Sequence, residues 1–375
     1  MTRERVCLSR CESYDVDKIE AIVREHIDAL GGVDALLSNG TNVVVKPNLV
    51  LAKDPSHGAT THPALVEAVC RIFVKAGAKV TIAESSGGLY NKAVMGMTFR
   101  TCGIEQAARA SGASLCEDFS ERQLSREENL KCRWFSVITP IAEADLIIDL
   151  PKLKTHTLTT YSGAVKNMFG VIPGVQKVEM HSRFPDIDDF CDMIVDLNET
   201  VKTRLCICDA VEVMEGNGPT SGKKTDMGYI ISSLSPYALD VVGASLAKLE
   251  LSKVPMLMAA QRRGIIKAEL SSVELWGTEI EGKKLALPDT VDKRFEMLSY
   301  AFGGRIKRFL ASKPTVNKKR CRGCGDCVRN CPKKLISIEK GVAKIRRDGC
   351  IFCFCCHELC KFHAIDIKRP FISKI

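Results

Sequence analysis

The sequence predicts an α/β protein: a mixed or mostly parallel sheet with helices on both faces, followed by a small α+β unit at the C-terminus. Three observations predict it. Short β-branched runs alternate with segments of helical apolar spacing across residues 1–310. Polar motifs rich in Lys, His, Asn and Gly follow those runs, at the strand ends where open α/β sheets bind ligands. Eight cysteines beyond residue 316 repeat one spacing twice, which marks a separate unit over 316–375.

The elements follow in order. Thr41–Val45 reads as a strand ending in Lys46-Pro47-Asn48. Pro63 can open a helix that Ala64–Ala76 continues, with Gly77 as its stop, and Lys79–Ala83 is the next strand, ending in Glu84-Ser85-Ser86. Cys102–Ser111 is a further helix candidate, and Ala144–Leu150 is the clearest buried strand. At its carboxyl end, Pro151–His156 carries Lys152, Lys154 and His156. Ile187–Thr200 is an amphipathic helix, Arg204–Asp209 a strand with Cys206 and Cys208 on one face, and Pro236–Leu249 a helix.

The strand ends define a candidate site. Lys46 and Asn48, then Lys152, Lys154 and His156, then Ser162, Lys166 and Asn167, and Asn217 in the Gly-rich stretch 215–222, supply ammonium, amide and hydroxyl donors. Lys177 and His181 stand nearby in sequence. Small residues let backbone approach a ligand, so the pattern points to an anionic group, phosphate or carboxylate. Lys166, His156 and His181 are the catalytic candidates, the lysine for substrate contact or charge stabilisation and the imidazoles for proton transfer. Lys46, Asn48, Lys152, Lys154, Ser162, Asn167 and Asn217 are the substrate-binding candidates. Four histidines (His57, His62, His156, His181) with Glu84, Asp209 and Glu215 could form a single-ion metal site, but no pair has ligand spacing on one helix. There is no flanked dinucleotide fingerprint and no P-loop, so nothing argues for ordinary nicotinamide or ATP binding. A flavin leaves no short motif and stays open.

In the C-terminal unit, Cys321, Cys324, Cys327 and Cys331 read C-x2-C-x2-C-x3-C before Pro332, and Cys350, Cys353, Cys356 and Cys360 repeat the run before Lys361. A zinc site would need only pairs of C-x2-C. From about Val316 to Ile375 the chain resembles bacterial two-cluster ferredoxins. The resemblance implies two [4Fe-4S] clusters, one held by Cys321, Cys324, Cys327 and Cys360 and the other by Cys350, Cys353, Cys356 and Cys331. Cys355 is an additional thiol and an alternative ligand. Upstream, Val45-Lys46-Pro47-Asn48, Thr61-His62-Pro63, Ala83-Glu84-Ser85, Pro151 to His156, Ser162 to Asn167 with Gly170, and Gly216-Asn217-Gly218-Pro219 look like the signature of the domain of unknown function 362 family. That resemblance spans about Val43 to Leu249. It implies one binding or catalytic unit, often fused to a ferredoxin module, and supplies no substrate.

Charge narrows the partners. The net charge is +9, and fifteen Lys and Arg between Arg305 and Arg347 are opposed only by Asp326 and Glu339. No nucleic-acid module or aromatic interleaving accompanies them, so an acidic electron-transfer protein such as a ferredoxin or flavodoxin is the expected partner, and nucleic acid is not. No apolar run approaches a membrane span and the first residues carry no apolar stretch, so the expected location is cytoplasmic. The leading functional reading is a ferredoxin-coupled oxidoreductase. Two others stand beside it: an electron carrier or cluster/cofactor maturation factor, and an acid/base enzyme on an anionic substrate with regulatory clusters.

Overall fold

The computed structural model describes residues 3–38, 40–290 and 312–368. The basic residues Arg305, Lys307 and Arg308, and the ends of both expected units (291–310 and 369–375), lie outside the described residues.

The strands, in chain order, are β1 (Glu4–Arg10), β2 (Asn42–Pro47), β3 (Lys79–Ile82), β4 (Ser114–Leu115), β5 (Glu121–Ser125), β6 (Trp134–Ile138), β7 (Leu146–Leu150) and β8 (Lys152–His156). They continue with β9 (Thr160–Ser162), β10 (Leu205–Glu215), β11 (Lys223–Ser233), β12 (Val273–Gly277), β13 (Lys313–Val316), β14 (Ile336–Glu339), β15 (Val342–Ile345) and β16 (Ile365–Lys368). One ten-stranded sheet runs β12-β1-β11-β10-β7-β2-β3-β4, with β8 on β10 and β9 on β8. Its centre is parallel (β10, β7, β2, β3, β4), and β11 runs antiparallel between β10 and β1. The sheet is therefore mixed and mostly parallel, as the alternating pattern predicts.

Period-2 alternation sends neighbouring side chains of one strand to opposite faces. On β2, Val43 and Val45 pack with the helices Val16–Ala29 and Pro63–Lys75 on one face. Val44, with Ile147 of β7, packs with Ile187–Val201 and Pro255–Arg262 on the other. A third core joins Cys206 and Cys208 of β10 to the helix Pro236–Leu246. Both faces are covered, which is why β7 is buried along its whole length. Pro63 opens its helix as expected, with His62 Nδ1 accepting from Ala64 N–H at 3.2 Å, and Gly77 follows its end at φ +85°.

The structure refines two of the expected elements. The motif after Leu150 is itself a strand: Pro151 interrupts the run, its carbonyl accepts from Asp209 N–H at 2.9 Å, and β8 resumes beside β10. A proline cannot donate to the ladder, so the run bends there and continues. The helix expected over Cys102–Ser111 is present and starts at Ile104, because Gly103 takes a left-handed conformation (φ +72°) between it and the preceding helix Lys92–Thr101.

The C-terminal unit is two small antiparallel ladders, β13 with β16 and β14 with β15, and two short helices, Asp326–Arg329 and Cys355–Glu358. It sits on the α/β unit beside the loop between β10 and β11. Thr220 Oγ1 donates to Glu358 O at 2.8 Å. Lys53 Nζ donates to His363 Nε2 at 2.9 Å, so the Nδ1–H of that ring donates to Ser221 Oγ at 2.7 Å. Among the described residues, no helix is long and apolar enough to cross a membrane.

Candidate functional site: a cleft between the strand ends and the cysteine-rich unit

A cleft with about 720 Å³ of atom-free space, part of it open to solvent, lies at the carboxyl ends of the central strands. Asn48 after β2, Glu84 and Ser85 after β3, and Lys154 and His156 of β8 form one side. Ser162, Lys166, Asn167, Phe169, Lys177 and His181 form the next, and Cys355, Glu358 and Leu359 of the C-terminal unit close it.

Each polar group has a stated position. Lys154 Nζ donates to Asn48 Oδ1 and Ala59 O, both at 2.7 Å. Asn48 Nδ2 donates to Asn167 Oδ1 at 2.8 Å, and Asn167 Nδ2 to Asp149 Oδ1 at 2.7 Å, which makes one oriented chain. Burial pushes the Lys154 ammonium down to about 7, against the pull of the Glu358 carboxylate. Lys177 Nζ donates to Ser85 O at 2.5 Å and Ile172 O at 2.6 Å, and burial lowers it to about 7 as well. Burial pushes Asp149 the other way, up to about 8, with Oδ2 unpartnered.

Lys166 rides on a four-residue helix, Ala164–Asn167, pinned at its start. Asp240 accepts from Ala164 N–H at 2.7 Å and Val165 N–H at 3.1 Å, while Asn198 Nδ2 donates to Val165 O at 2.9 Å. A side chain at Gly163 would overlap Asp240 and Tyr161, so glycine is required there by close approach. The Lys166 ammonium lies 4.7 Å from the Phe169 ring centre and 5.8 Å from that of Phe190. It makes no hydrogen bond or ion pair among the described residues, and burial lowers its pKa. His181 stacks on Phe190 at 4.5 Å and is lowered to about 3 by burial and then by Lys166.

His156 has a defined tautomer. Its Nδ1 accepts from Leu158 N–H at 3.0 Å and Thr159 N–H at 3.4 Å. Burial first, then the lysines Lys166 and Lys154, holds its pKa far below the usual histidine range. A neutral ring accepting at Nδ1 carries its proton on Nε2. That Nε2 is buried in the cleft wall without a hydrogen-bond partner, 4.0 Å from Glu358 Oε2.

Of the residues singled out in the sequence, the cleft brings together Asn48, Lys154, His156, Ser162, Lys166, Asn167 and His181. Lys46 is buried just behind it, paired with Glu84. Lys152 lies elsewhere, in a closed network: its Nζ donates to Asp209 Oδ2 at 2.8 Å and Tyr14 Oη at 2.7 Å, and Tyr14 stacks on His62 at 3.6 Å. Asn217 exchanges hydrogen bonds with Asp289, at 2.8 Å each way. The histidines and carboxylates do not converge on one ion, and no group of three His, Cys, Asp or Glu suited to a single metal ion occurs among the described residues. Glu358 and Leu359 were not legible as cleft residues, because no local signal announces a contact to strand ends some 200 positions earlier.

The eight paired cysteines line two further cavities. Cys321, Cys324, Cys327 and Cys360 surround one, and Cys331, Cys350, Cys353 and Cys356 the other. Cys355 is in neither lining and faces the cleft instead. The donors are soft thiolates, four around each cavity, so they fit iron–sulfur clusters.

Comparison with known proteins finds matches in both parts of the chain. A family model described as Domain of unknown function (DUF362) matches residues 43–245, and one described as 4Fe-4S dicluster domain matches 313–361. A thylakoid-associated protein of Synechocystis is 29% identical over 269 residues, 69% of this chain and 79% of that protein. An uncharacterized ferredoxin of Methanocaldococcus jannaschii is 33% identical over 57 residues, 14% of this chain and 92% of its own length. Among solved structures, the lactate racemase apoprotein of Thermoanaerobacterium thermosaccharolyticum aligns at 14% identity with a TM-score of 0.41, covering 66% of this chain and 57% of that one.

Proposed function

The chain belongs to the domain of unknown function 362 family and carries an iron–sulfur dicluster domain; from that premise we propose that it is a ferredoxin-linked oxidoreductase acting on an anion held in the cleft. One observation carries the reading. The segment that bears Cys353, Cys356 and Cys360 also supplies Cys355, Glu358 and Leu359 to the wall facing Lys154, His156 and Lys166. A carrier that only passed electrons to another protein would have no use for such a cleft.

Cys321, Cys324, Cys327 and Cys360 would hold one [4Fe-4S] cluster, and Cys350, Cys353, Cys356 and Cys331 the other. When bound, such clusters supply low-potential one-electron transfer. The chain's own residues bind and orient. Lys166, Lys154 and Lys177 set a positive potential, His156 Nε2–H offers a fixed donor, and Phe169, Leu49 and Leu359 limit water. The electron donor is an acidic redox protein in a cytoplasmic setting. Exposed Arg322 and Lys333 stand at the mouths of the two cysteine cavities, and Lys318, Lys319, Lys334, Arg346 and Arg347 are exposed around them.

The test is mass spectrometry of small molecules released on denaturing anaerobically purified, cluster-loaded protein. A stoichiometric flavin, nucleotide or organic anion supports the reading. Iron and sulfide alone, with no anion that reoxidises the reduced protein, would transfer weight to a carrier.

A further inference from the structure

We infer that the cleft takes a small organic monocarboxylate, its two oxygens shared between His156 Nε2–H and Lys166 Nζ. The inference rests on the cleft being the anion site and specifies the anion.

The uncommitted buried donors, together with the carboxylates of the lining, favour a carboxylate over phosphate. Three lysines line the cleft, but Lys154 and Lys177 already donate to carbonyl oxygens, and Lys46 behind them is neutralised by Glu84. Lys166 alone among these amines has no oxygen partner among the described residues. The second uncommitted donor is His156 Nε2–H, buried and unpartnered, with only 2% of the residue exposed. A buried donor left unpaired costs about 1–3 kcal/mol, so this one is aimed at something that accepts.

Lys166 Nζ and His156 Nε2–H, one charged and one neutral, match the two oxygens of a carboxylate, and the Ser162 hydroxyl and His181 ring stand in the same lining. Lysine holds phosphate as a point charge, and arginine forks or successive free backbone N–H groups add the directional contacts that phosphate sites commonly show. No arginine occurs in the described lining. Of the lining glycines, Gly87 and Gly174 give their N–H groups to Val50 O and Ser85 Oγ. Glu84 and Glu358 also stand in the lining, and a dianion would meet both. Leu49, Val50, Phe169, Val178 and Leu359 supply apolar surface in the same lining for a short hydrocarbon body.

The test uses full-length, cluster-loaded protein held oxidised, with no electron donor present. It is titrated calorimetrically with acetate, propionate and isobutyrate, and separately with inorganic phosphate. At least one carboxylate binds, Lys166→Met weakens it about tenfold or more, and phosphate does not displace it. His156→Phe has the same effect; if that variant does not fold, Lys166→Met, which keeps the aliphatic stem, decides alone. Binding of phosphate in preference to every carboxylate, no binding of any of them, or an unchanged affinity in folded Lys166→Met overturns the inference. Because no electrons move in this assay, carboxylate binding without any later redox activity would sink the oxidoreductase reading and leave the inference standing.

Discussion

Raising the pH through neutrality should empty the cleft of its anion. Lys154 and Lys177 both have pKa values near 7 because burial disfavours their charged forms. An anion favours the ammonium form, so affinity is full below about 7 and falls as pH rises through it. A group with pKa about 7 that must be protonated for binding weakens binding roughly tenfold between about pH 6 and pH 8. Two such groups acting independently give roughly a hundredfold, the upper bound, and tenfold is the value if only one lies close to the ligand. His156 adds nothing to this window, since it is neutral throughout. The assay is calorimetric titration with a short carboxylate across that range, repeated in buffers of different ionisation enthalpy. Proton uptake on binding should rise as pH passes through about 7, and Lys154→Met should remove part of both the fall and the uptake. Affinity that is flat or rises with pH, or a profile untouched in both Lys154→Met and Lys177→Met, would refute the electrostatic account.

Other perturbations give separate readouts. Glu84→Gln leaves Lys46 buried without its counter-charge and should cost about 3–5 kcal/mol, seen as a lower thermal midpoint; an unchanged midpoint would mean the pair is relieved by water. Asp240→Ala frees the two N–H groups that start the Lys166 helix, and should cost about 3 kcal/mol and weaken anion binding together. Cys355→Ser should retain iron content and the paramagnetic signals of both reduced clusters, whereas Cys353→Ser should lose one; the opposite pattern would make Cys355 a ligand. Reduction by an acidic ferredoxin should slow steeply as ionic strength rises, and a flat response would remove the exposed lysines and arginines from docking.

The strands and helices that sequence reasoning recovered are those with strong periodicity and capping residues. Val43–Val45 and Leu146–Leu150 are buried on both faces, so their apolar runs are unbroken, and Pro63 and Gly77 bracket their helix as punctuation should. What it lost depends on contacts distant in sequence. β8 is a strand only because β10 continues past Asp209 to Glu215 and offers it an edge, and its Lys and His content gives no β signal. The lysines show the same division. Lys152 and Lys154 share a face of β8 by their spacing, yet Asp209 closes off the first and the second opens on the cleft. Spacing shows that both point one way. It does not show which meets a carboxylate 57 positions later.

The cost of building this cleft argues that something occupies it. A depression of Lys154 from 10.5 to about 7 corresponds to roughly 5 kcal/mol at about 1.36 kcal/mol per pKa unit. Lys177 carries a similar burden, and His156 Nε2–H is an unsatisfied buried donor. Apolar residues of like volume would fold more favourably at these positions. The arrangement is also asymmetric. Lys154 and Lys177 are hydrogen-bonded and merely destabilised as charges, whereas Lys166 and His156 have no oxygen partner within hydrogen-bond distance among the described residues. An anion placed between the last two satisfies their donors directly and restores the charge of the first two through space.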